Sequence, residues 1–454
     1  MGTKLPSKTY HDAALFKPEP PDNNIHIKRL FCGREAALEQ GVNRLRSNFD
    51  VAGRRSRRHD KQPWVLHGQS RSGKSHLARR ILAAFPASQR RIQILIQANE
   101  RLNALSVMKA IFETMRGEYG NRIYDQRHDV DPAAQPQLVL VDNLIGHIGL
   151  FEPGIQSVSL SLEKGGKQAA EAGVELGGAP LLVKFMGKFQ SEASEKQTVQ
   201  LALREPTPID LAQVCGIMVE ALLRFTTTNH VLILVDDVDL LEAYSGPQQN
   251  GRVERSILAD ALHELHGAPG VDVILTARSW YAHTRKQLDE LVNLSDYPEL
   301  TGADLAAIHD RHLAAFAGKA RLKRFLSRSA LEQLAAEVEY LPGVFLQFLR
   351  TVFPAYVQVP DREERDFDWL LGVLRARYLM VRKQCLPVCL VLEENVKAGI
   401  LTLNVSDGKV MVQGTVVVNL FIYQSYFNEA LYFIPPIVRK LLPPDTEPER
   451  GGGT

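Results

Sequence analysis

The chain has little cysteine, no excess of charge of either sign and no long apolar run. Its four cysteines, Cys32, Cys215, Cys385 and Cys389, are too few in 454 residues for a disulfide framework. Cys385 and Cys389 are spaced CxxxC with no second Cys or His pair nearby, so they read as ordinary thiols rather than a metal site. Lys plus Arg number 54 against 52 Asp plus Glu, a net charge of +2. That excludes a global basic field, so any nucleic-acid binding has to come from a local patch. The longest apolar runs, such as Val231–Val235 and Val416–Val418, fall far short of the roughly 18 residues of a membrane span. Met1–His11 lacks the apolar stretch of a signal peptide, and Pro6 stands where a myristoylation motif needs Ser or Thr. No long-period repeat is present. A reducing, cytoplasmic setting without a membrane partner is the expectation. What is present is ordinary: 45% hydrophobic and 23% charged residues exclude disorder of the whole chain. The length allows two to four domains.

Periodicity divides the chain. Residues 1–30, with Pro18, Pro20 and Pro21, read as an extended arm. Helical spacing at Ala37, Leu38, Val42 and Leu45 marks a helix over 33–48, and an arginine-rich loop with Arg54, Arg55, Arg57 and Arg58 follows. The loop reads as a solvated segment or as a nucleic-acid patch. Trp64–His67 is a short buried strand, 74–84 a helix, 92–97 a strand and 103–117 a helix. Residues 151–206 are rich in glycine and carry period-2 runs at 157–163, 181–189 and 198–204, which predicts a β-rich insertion. A helix over 208–226, buried strands at 231–235 and 271–277, and a helix over 253–265 between those strands come next. Residues 301–352 are helical with breaks at Gly318 and Pro342-Gly343. One or two helices occupy 366–396, and 400–414 reads as a hairpin about Asp407-Gly408. The last residues, 446–454, read as a disordered tail.

The most specific motif lies between the first strand and its helix. Gly68-Gln69-Ser70-Arg71-Ser72-Gly73-Lys74-Ser75 fits GxxxxGK[ST] at every defined position. Glycines let backbone N–H groups converge on phosphate oxygens, and the helix N-terminus adds positive potential. In this arrangement Lys74 reaches the β- and γ-phosphates and Ser75 ligates Mg²⁺. His76, the next residue into the helix, is counted with the site, as are Gly68, Ser70, Ser72 and Gly73. The chemistry also needs a carboxylate at the end of a neighbouring buried strand. Val231–Val235 runs into Asp236-Asp237-Val238-Asp239, whereas Leu138–Val141 runs into the single Asp142. The adjacent pair is assigned: Asp236 to Mg²⁺ and Asp237 to water activation. Asp142 is then a helix or turn cap. ATP and Mg²⁺ are the expected ligands, and the expected fold class is α/β, a P-loop nucleotide-triphosphatase sheet.

With the opening Phe31-Cys32-Gly33-Arg34-Glu35, the glycine loop, the DDxD strand and a helical lid, residues 28–355 resemble an AAA+ ATPase. They are most similar to the branch holding origin-recognition ATPases and the STAND signalling ATPases. The resemblance implies that Gly33 and Arg34 lie against the adenine. It implies that Arg278, ending the strand Thr276-Ala277-Arg278, senses the γ-phosphate. It also implies that the lid turn at Pro342 and Arg350, two helical turns on, reach the nucleotide, with a surface arginine the bland alternative for Arg350. Asp237 stands where the origin branch has Glu; its shorter arm suits a slow switch better than a motor. Arg252, Arg255 and Arg285 are candidate arginine fingers toward a neighbouring subunit.

The expected layout is an arm at 1–30, an ATPase core at 31–298 with the insertion at 151–206, a lid at 299–356 and a winged-helix-like module at 357–445. Helix–Gly–strand–turn–strand is the winged-helix pattern that origin-type ATPases carry after the lid. Here its hairpin is apolar and its helix holds Glu393 and Glu394, a poor face for neutralising phosphate. The resemblance therefore implies a regulatory ATPase switch, forming homo-oligomers or engaging a partner protein, in defence, mobile-element control or chromosome maintenance. A DNA-binding initiator or loader, and a partner-binding protein with very slow turnover, are the competing expectations.

Overall fold

The computed structural model of the chain describes residues 15–17, 24–51, 63–69, 71–99, 101–125, 138–139, 141–142, 144–146, 157–161, 198–202, 206–241, 249–278, 290–316, 324–359, 363–399, 402–404, 423–424 and 431–442. Its centre is a parallel sheet. In chain order the strands are β1 (Trp64–His67), β2 (Arg91–Gln97), the outlying pair β3 (Ser157–Ser161) and β4 (Thr198–Ala202), β5 (His230–Asp236), β6 (Val271–Ala277) and β7 (Glu290–Asn293). The five strands of the sheet lie in the order β2-β5-β6-β1-β7, every neighbouring pair parallel. All five carboxyl ends therefore meet at one edge, where open α/β sheets bind ligands. β6 separates the strand of the glycine loop from the strand of the aspartates.

β5 and β6 are buried at every residue. Val231, Ile233 and Val235, with Val271, Val273 and Leu275, pack under helices α4 (Ala104–Asp125), α5 (Pro208–Phe225) and α6 (Gln249–His266). Leu232, Leu234 and Ile274 face the opposite way, toward Leu77 and Ile81 of α3 (Lys74–Leu82) and Leu45 of α2 (Glu35–Val51). A sheet covered on both faces needs apolar residues at every position, which is why these strands read as continuous runs rather than alternations. α5 starts at a full capping box: Thr207 accepts from the Asp210 N–H and Asp210 accepts from the Thr207 N–H.

Beyond the sheet, α7 (Gly302–Phe316), α8 (Arg328–Glu337) and α9 (Pro342–Gln358) form the lid. Their core is continuous with α10 (Phe367–Gln384), α11 (Leu386–Lys397) and α12 (Ile437–Leu441). A small antiparallel sheet, β8 (Thr402–Asn404), β9 (Tyr423–Gln424) and β10 (Leu431–Phe433), runs in the order β8-β10-β9.

Most sequence expectations for regular elements recur, with differences at two places. The arm is not extended throughout: Asn24–Leu30 forms helix α1, and Leu15 and Phe16 are buried in the lid core. The alternative strand Leu138–Val141 is not in the sheet. Residues 138, 139, 141, 142 and 144–146 are helical, and Leu138, Val141, Leu144 and Ile145 enter the core at helical spacing. Asp142 thus ends no strand. Of the insertion, 157–161 and 198–202 are strands, within the expected runs 157–163 and 198–204, and they pair with each other antiparallel. The 181–189 run, Arg54–Arg58, Gly318, the Asp407-Gly408 turn and the tail 446–454 lie outside the described residues. Among the described residues no helix is long and apolar enough to cross a membrane.

Candidate functional site: a phosphate cradle under a lid

β1 delivers the chain into the glycine loop, and α3 leaves it. Gly73 caps α3 in the left-handed region, φ 93°, a conformation that a side chain would strain. A Cβ there would also come within 3.5 Å of Pro342 in the lid. Lys74 Nζ donates to the carbonyls of Gly68 (3.1 Å) and Gln69 (2.8 Å), so its ammonium lies folded back over the loop. Burial lowers its pKa to about 8, against the pull of Asp239, Asp237 and Asp236. Ser72 Oγ is buried with no hydrogen-bond partner among the described residues.

The aspartates are held from β6. Thr276, wholly buried, accepts from the Asp237 N–H (2.8 Å) and donates to Asp236 Oδ1 (2.5 Å). Among the described residues Asp236 Oδ2 has no hydrogen-bond donor; Arg79 Nη2 stands 3.7 Å away, at ion-pair distance only. Asp237 turns the chain at φ 56° and accepts from Gln97 Nε2 (2.9 Å), while Arg79 donates to Gln97 Oε1 (3.0 Å). Burial first, then Asp236 and Asp239, push the Asp237 carboxyl up to about 7. Arg278 Nε lies 3.0 Å from Asp239 Oδ2.

Most of these side chains, Thr276 and Asp239 apart, line one cavity of about 590 Å³, within the range of small-molecule sites. Its polar lining includes Ser72–Ser75, Arg79, Gln97, Asp236, Asp237 and Arg278, and its apolar lining includes Leu30, Phe31, Ile308 and Leu346. The lid closes onto the loop directly. Gly343 N–H donates to Arg71 O at 3.0 Å, and a Cβ at Gly343 would meet Arg71 Cβ at 2.9 Å and Cδ at 3.0 Å. α8 leads into this contact through a turn that bonds Tyr340 N–H to Ala335 O and Glu339 N–H to Ala336 O, the Schellman pattern without its glycine. Glu339 (φ 52°) and Tyr340 (φ 55°) both adopt the left-handed region. Among the described residues the other non-glycine positions with positive φ are Phe16, Arg71 and Asp237. Arg71 and Asp237 line the cavity and Phe16 precedes Lys17, which also lines it. Strain of about 1–3 kcal/mol per residue concentrated at one place is a mark of a functional site.

The chain has an α/β P-loop nucleotide-triphosphatase fold. No protein-family model matches it, and no curated protein matches it. Two solved structures are similar over nearly the whole chain. The Aeropyrum pernix ORC2 protein, described in ADPNP–ADP complexes, has 11% identity, covers 95% of this chain and 96% of its own, and has a TM-score of 0.41. CDC6P from Pyrobaculum aerophilum has 10% identity, covers 95% and 98%, and has a TM-score of 0.36. Scores this low carry no argument about the chain; its fold class rests on the parallel sheet and the glycine loop at its carboxyl edge.

The residues named from sequence are not all gathered. Lys74, Ser75, Ser72, Gly73, His76, Asp236, Asp237, Arg278, Arg34 and Pro342 line the cavity. Gly68 contributes its carbonyl to Lys74. Gly33 donates to Glu35 Oε1 and packs on Leu300 rather than lining the cavity. Arg34 Nη1 donates to Leu294 O at 3.0 Å, which ties the opening segment to the turn after β7. Arg350 does not reach the site: α9 starts at the loop contact, so a residue eight positions on lies about 12 Å along the axis, and its side chain is exposed. Arg255 is no outward finger; it is buried and donates to Asp239 O at 3.4 Å. Ser70, Arg285 and the side chain of Arg252 lie outside the described residues. No motif marks Gln97, Arg79 or Lys17, which also line the cavity. Gln97 had a usable signal, as the polar end of an apolar strand; Arg79 reads as one more helix arginine.

Proposed function

We propose that the chain binds ATP with Mg²⁺ between sheet and lid, hydrolyses it slowly, and uses nucleotide state to set how firmly the lid sits. The observation that carries this reading is one cavity walled by the glycine loop and the paired aspartates on one side and by the N-terminus of α9 on the other. The donor set fits the metal. Asp236 offers a buried, unbonded oxygen and Ser75 lines the same cavity, and Mg²⁺ takes one or two carboxylates plus substrate phosphates. Bound there, Mg²⁺ would neutralise charge on the phosphate oxygens.

The protein's own groups do the rest. On nucleotide arrival Lys74 exchanges the Gly68 and Gln69 carbonyls for phosphate oxygens. Asp237, oriented by Gln97, holds the attacking water and takes its proton as the new O–P bond forms and the β–γ bridge breaks. Its raised pKa makes it a better base near neutrality than an ordinary carboxylate. Arg278 bears on the charge at the transferred group. The apolar lining, Leu30, Phe31, Ile308 and Leu346, takes the base. Because the lid touches the loop through Gly343, a ligand that favours the closed state shifts the lid population by its differential affinity. Assembly with further copies or docking of a partner protein would read that population.

The test is ATP turnover with and without duplex DNA, for wild type, Lys74→Ala and Asp237→Asn. Slow, DNA-indifferent turnover, lost in both variants and accompanied by ATP-dependent assembly, supports the switch. DNA-stimulated turnover marks an initiator or loader instead. ATP binding without turnover marks a partner-binding protein, and absence of ATP binding refutes all three.

A further inference from the structure

The third acid of the DDxD run is left without a task by the chemistry above. Asp239 is 2% exposed and stands behind Arg278 as seen from the cavity: Arg278 lines the cavity and Asp239 does not. The contact is an ion pair on one edge of the guanidinium, Nε to Oδ2 at 3.0 Å, without hydrogen-bond geometry: among the described residues neither Asp239 oxygen has a hydrogen-bond partner. An arginine held by Nε keeps its two terminal nitrogens free to grip a phosphate as a fork. The backbone of Asp239 is itself fixed from α6, since the buried Arg255 donates to its carbonyl at 3.4 Å. Val238–Leu240 forms a short 3-10 turn directly after Asp237, so this anchor and the water-orienting carboxylate belong to one rigid turn. Arg278 follows β6 directly, two residues after Thr276, which clamps both aspartates.

We infer that Asp239 is a positioning residue: it anchors Arg278 so that the terminal nitrogens face the third phosphate, and so sets the preference for a triphosphate over a diphosphate. The inference rests on the reading of the cavity as an ATP site. An anchored fork gives up little side-chain freedom on binding, whereas an unanchored arginine must be ordered at that moment. A carboxylate on the far edge of the guanidinium also balances its charge in the buried site before the nucleotide arrives.

The test is equilibrium binding of ADP and of a non-hydrolysable ATP analogue with Mg²⁺, for wild type, Arg278→Ala, Asp239→Ala, Asp239→Asn and the Arg278→Ala/Asp239→Ala double variant. Wild type is expected to prefer the triphosphate. Asp239→Ala should lose about tenfold of that preference with ADP affinity within about twofold of wild type. The double variant should lose no more than Arg278→Ala alone, because the two residues act as a unit. Asp239→Asn keeps the side chain's size and a carbonyl dipole toward Nε but not the charge, and should fall between. If Asp239→Ala does not fold, the intermediate value for Asp239→Asn supports the assignment and a wild-type value overturns it. An unchanged or increased preference in a folded Asp239→Ala overturns it, the increase marking Asp239 as a competitor for Arg278. Equal loss for both nucleotides overturns it in favour of a purely structural ion pair. If wild type binds neither nucleotide, the ATP reading fails first, and the two failures are told apart by that control.

Discussion

Gly343→Ala puts the lid contact to the test with the smallest change available. The new methyl would stand 2.9 Å from Arg71 Cβ and 3.1 Å from Arg71 O, and neither atom is the free end of a flexible side chain. Overpacking of this kind costs about 1–3 kcal/mol. Relief by backing the helix away gives up the Gly343 N–H to Arg71 O bond, about 1 kcal/mol. Alanine regains at most about 0.5–1 kcal/mol over glycine at a helix position. The lid takes the cheaper of the two routes, so the net penalty on docking is about 1 kcal/mol, or roughly fivefold in the ratio of docked to undocked states. If ATP binds the docked state alone, its apparent affinity drops by up to the same factor. Titration with a fluorescent ATP analogue reads the affinity, and hydrogen exchange at the first turn of α9 reads the docking. Full ATP affinity together with unchanged exchange in Gly343→Ala would refute the claim that this contact couples lid to loop.

Three further outcomes follow from the same geometry. Thr276→Val removes the hydroxyl that joins Asp236 to the Asp237 N–H and leaves two buried polar groups unpaired, a loss of about 2–3 kcal/mol in a urea melt; Thr276→Ser should recover most of it, and a loss below about 0.5 kcal/mol contradicts the clamp. Phe16→Ala opens a cavity where the ring stacks between His309 and His312, so the midpoint should fall by the equivalent of about 3–5 kcal/mol; an unshifted midpoint would mean the arm is not part of the lid core. Burial lowers His312 to about 3 and also lowers His309. Because the unfolded chain binds the proton near pH 6.5 and the folded one does not, stability falls as pH falls below that value; His312 alone contributes about 2 kcal/mol of loss by pH 5. A melt series in which His312→Gln keeps the wild-type acid slope would count against it.

Local chemistry made the core of the site legible. A glycine loop needs its residues in consecutive order, because neighbouring backbone N–H groups do the binding, so Gly68–Ser75 declares itself. A buried parallel strand is apolar throughout, so the two aspartates ending Val231–Val235 stand out against it. The helical lid and the buried strand 271–277 are legible for the same reason: their burial imposes a period or its absence.

What the chain order alone did not contain is which strands are neighbours. Nothing local says that β6 lies between β1 and β5, yet that placement makes Thr276 the clamp on both aspartates and brings Arg278 to Asp239. Gln97, 139 and 140 positions away from the acids, joins them because β2 pairs with β5 in a register that sets it beside Asp236. Arg350 shares a helix with the site residue Pro342, but the rise along α9 carries it away; Arg255 carries the charge of a finger, but its helix face turns it inward. The same holds for Phe16, an aromatic in a polar arm that only the packed lid identifies as core. Sequence determined the groups whose work is done by neighbours along the chain, and tertiary structure decided those whose partners arrive from across the sheet.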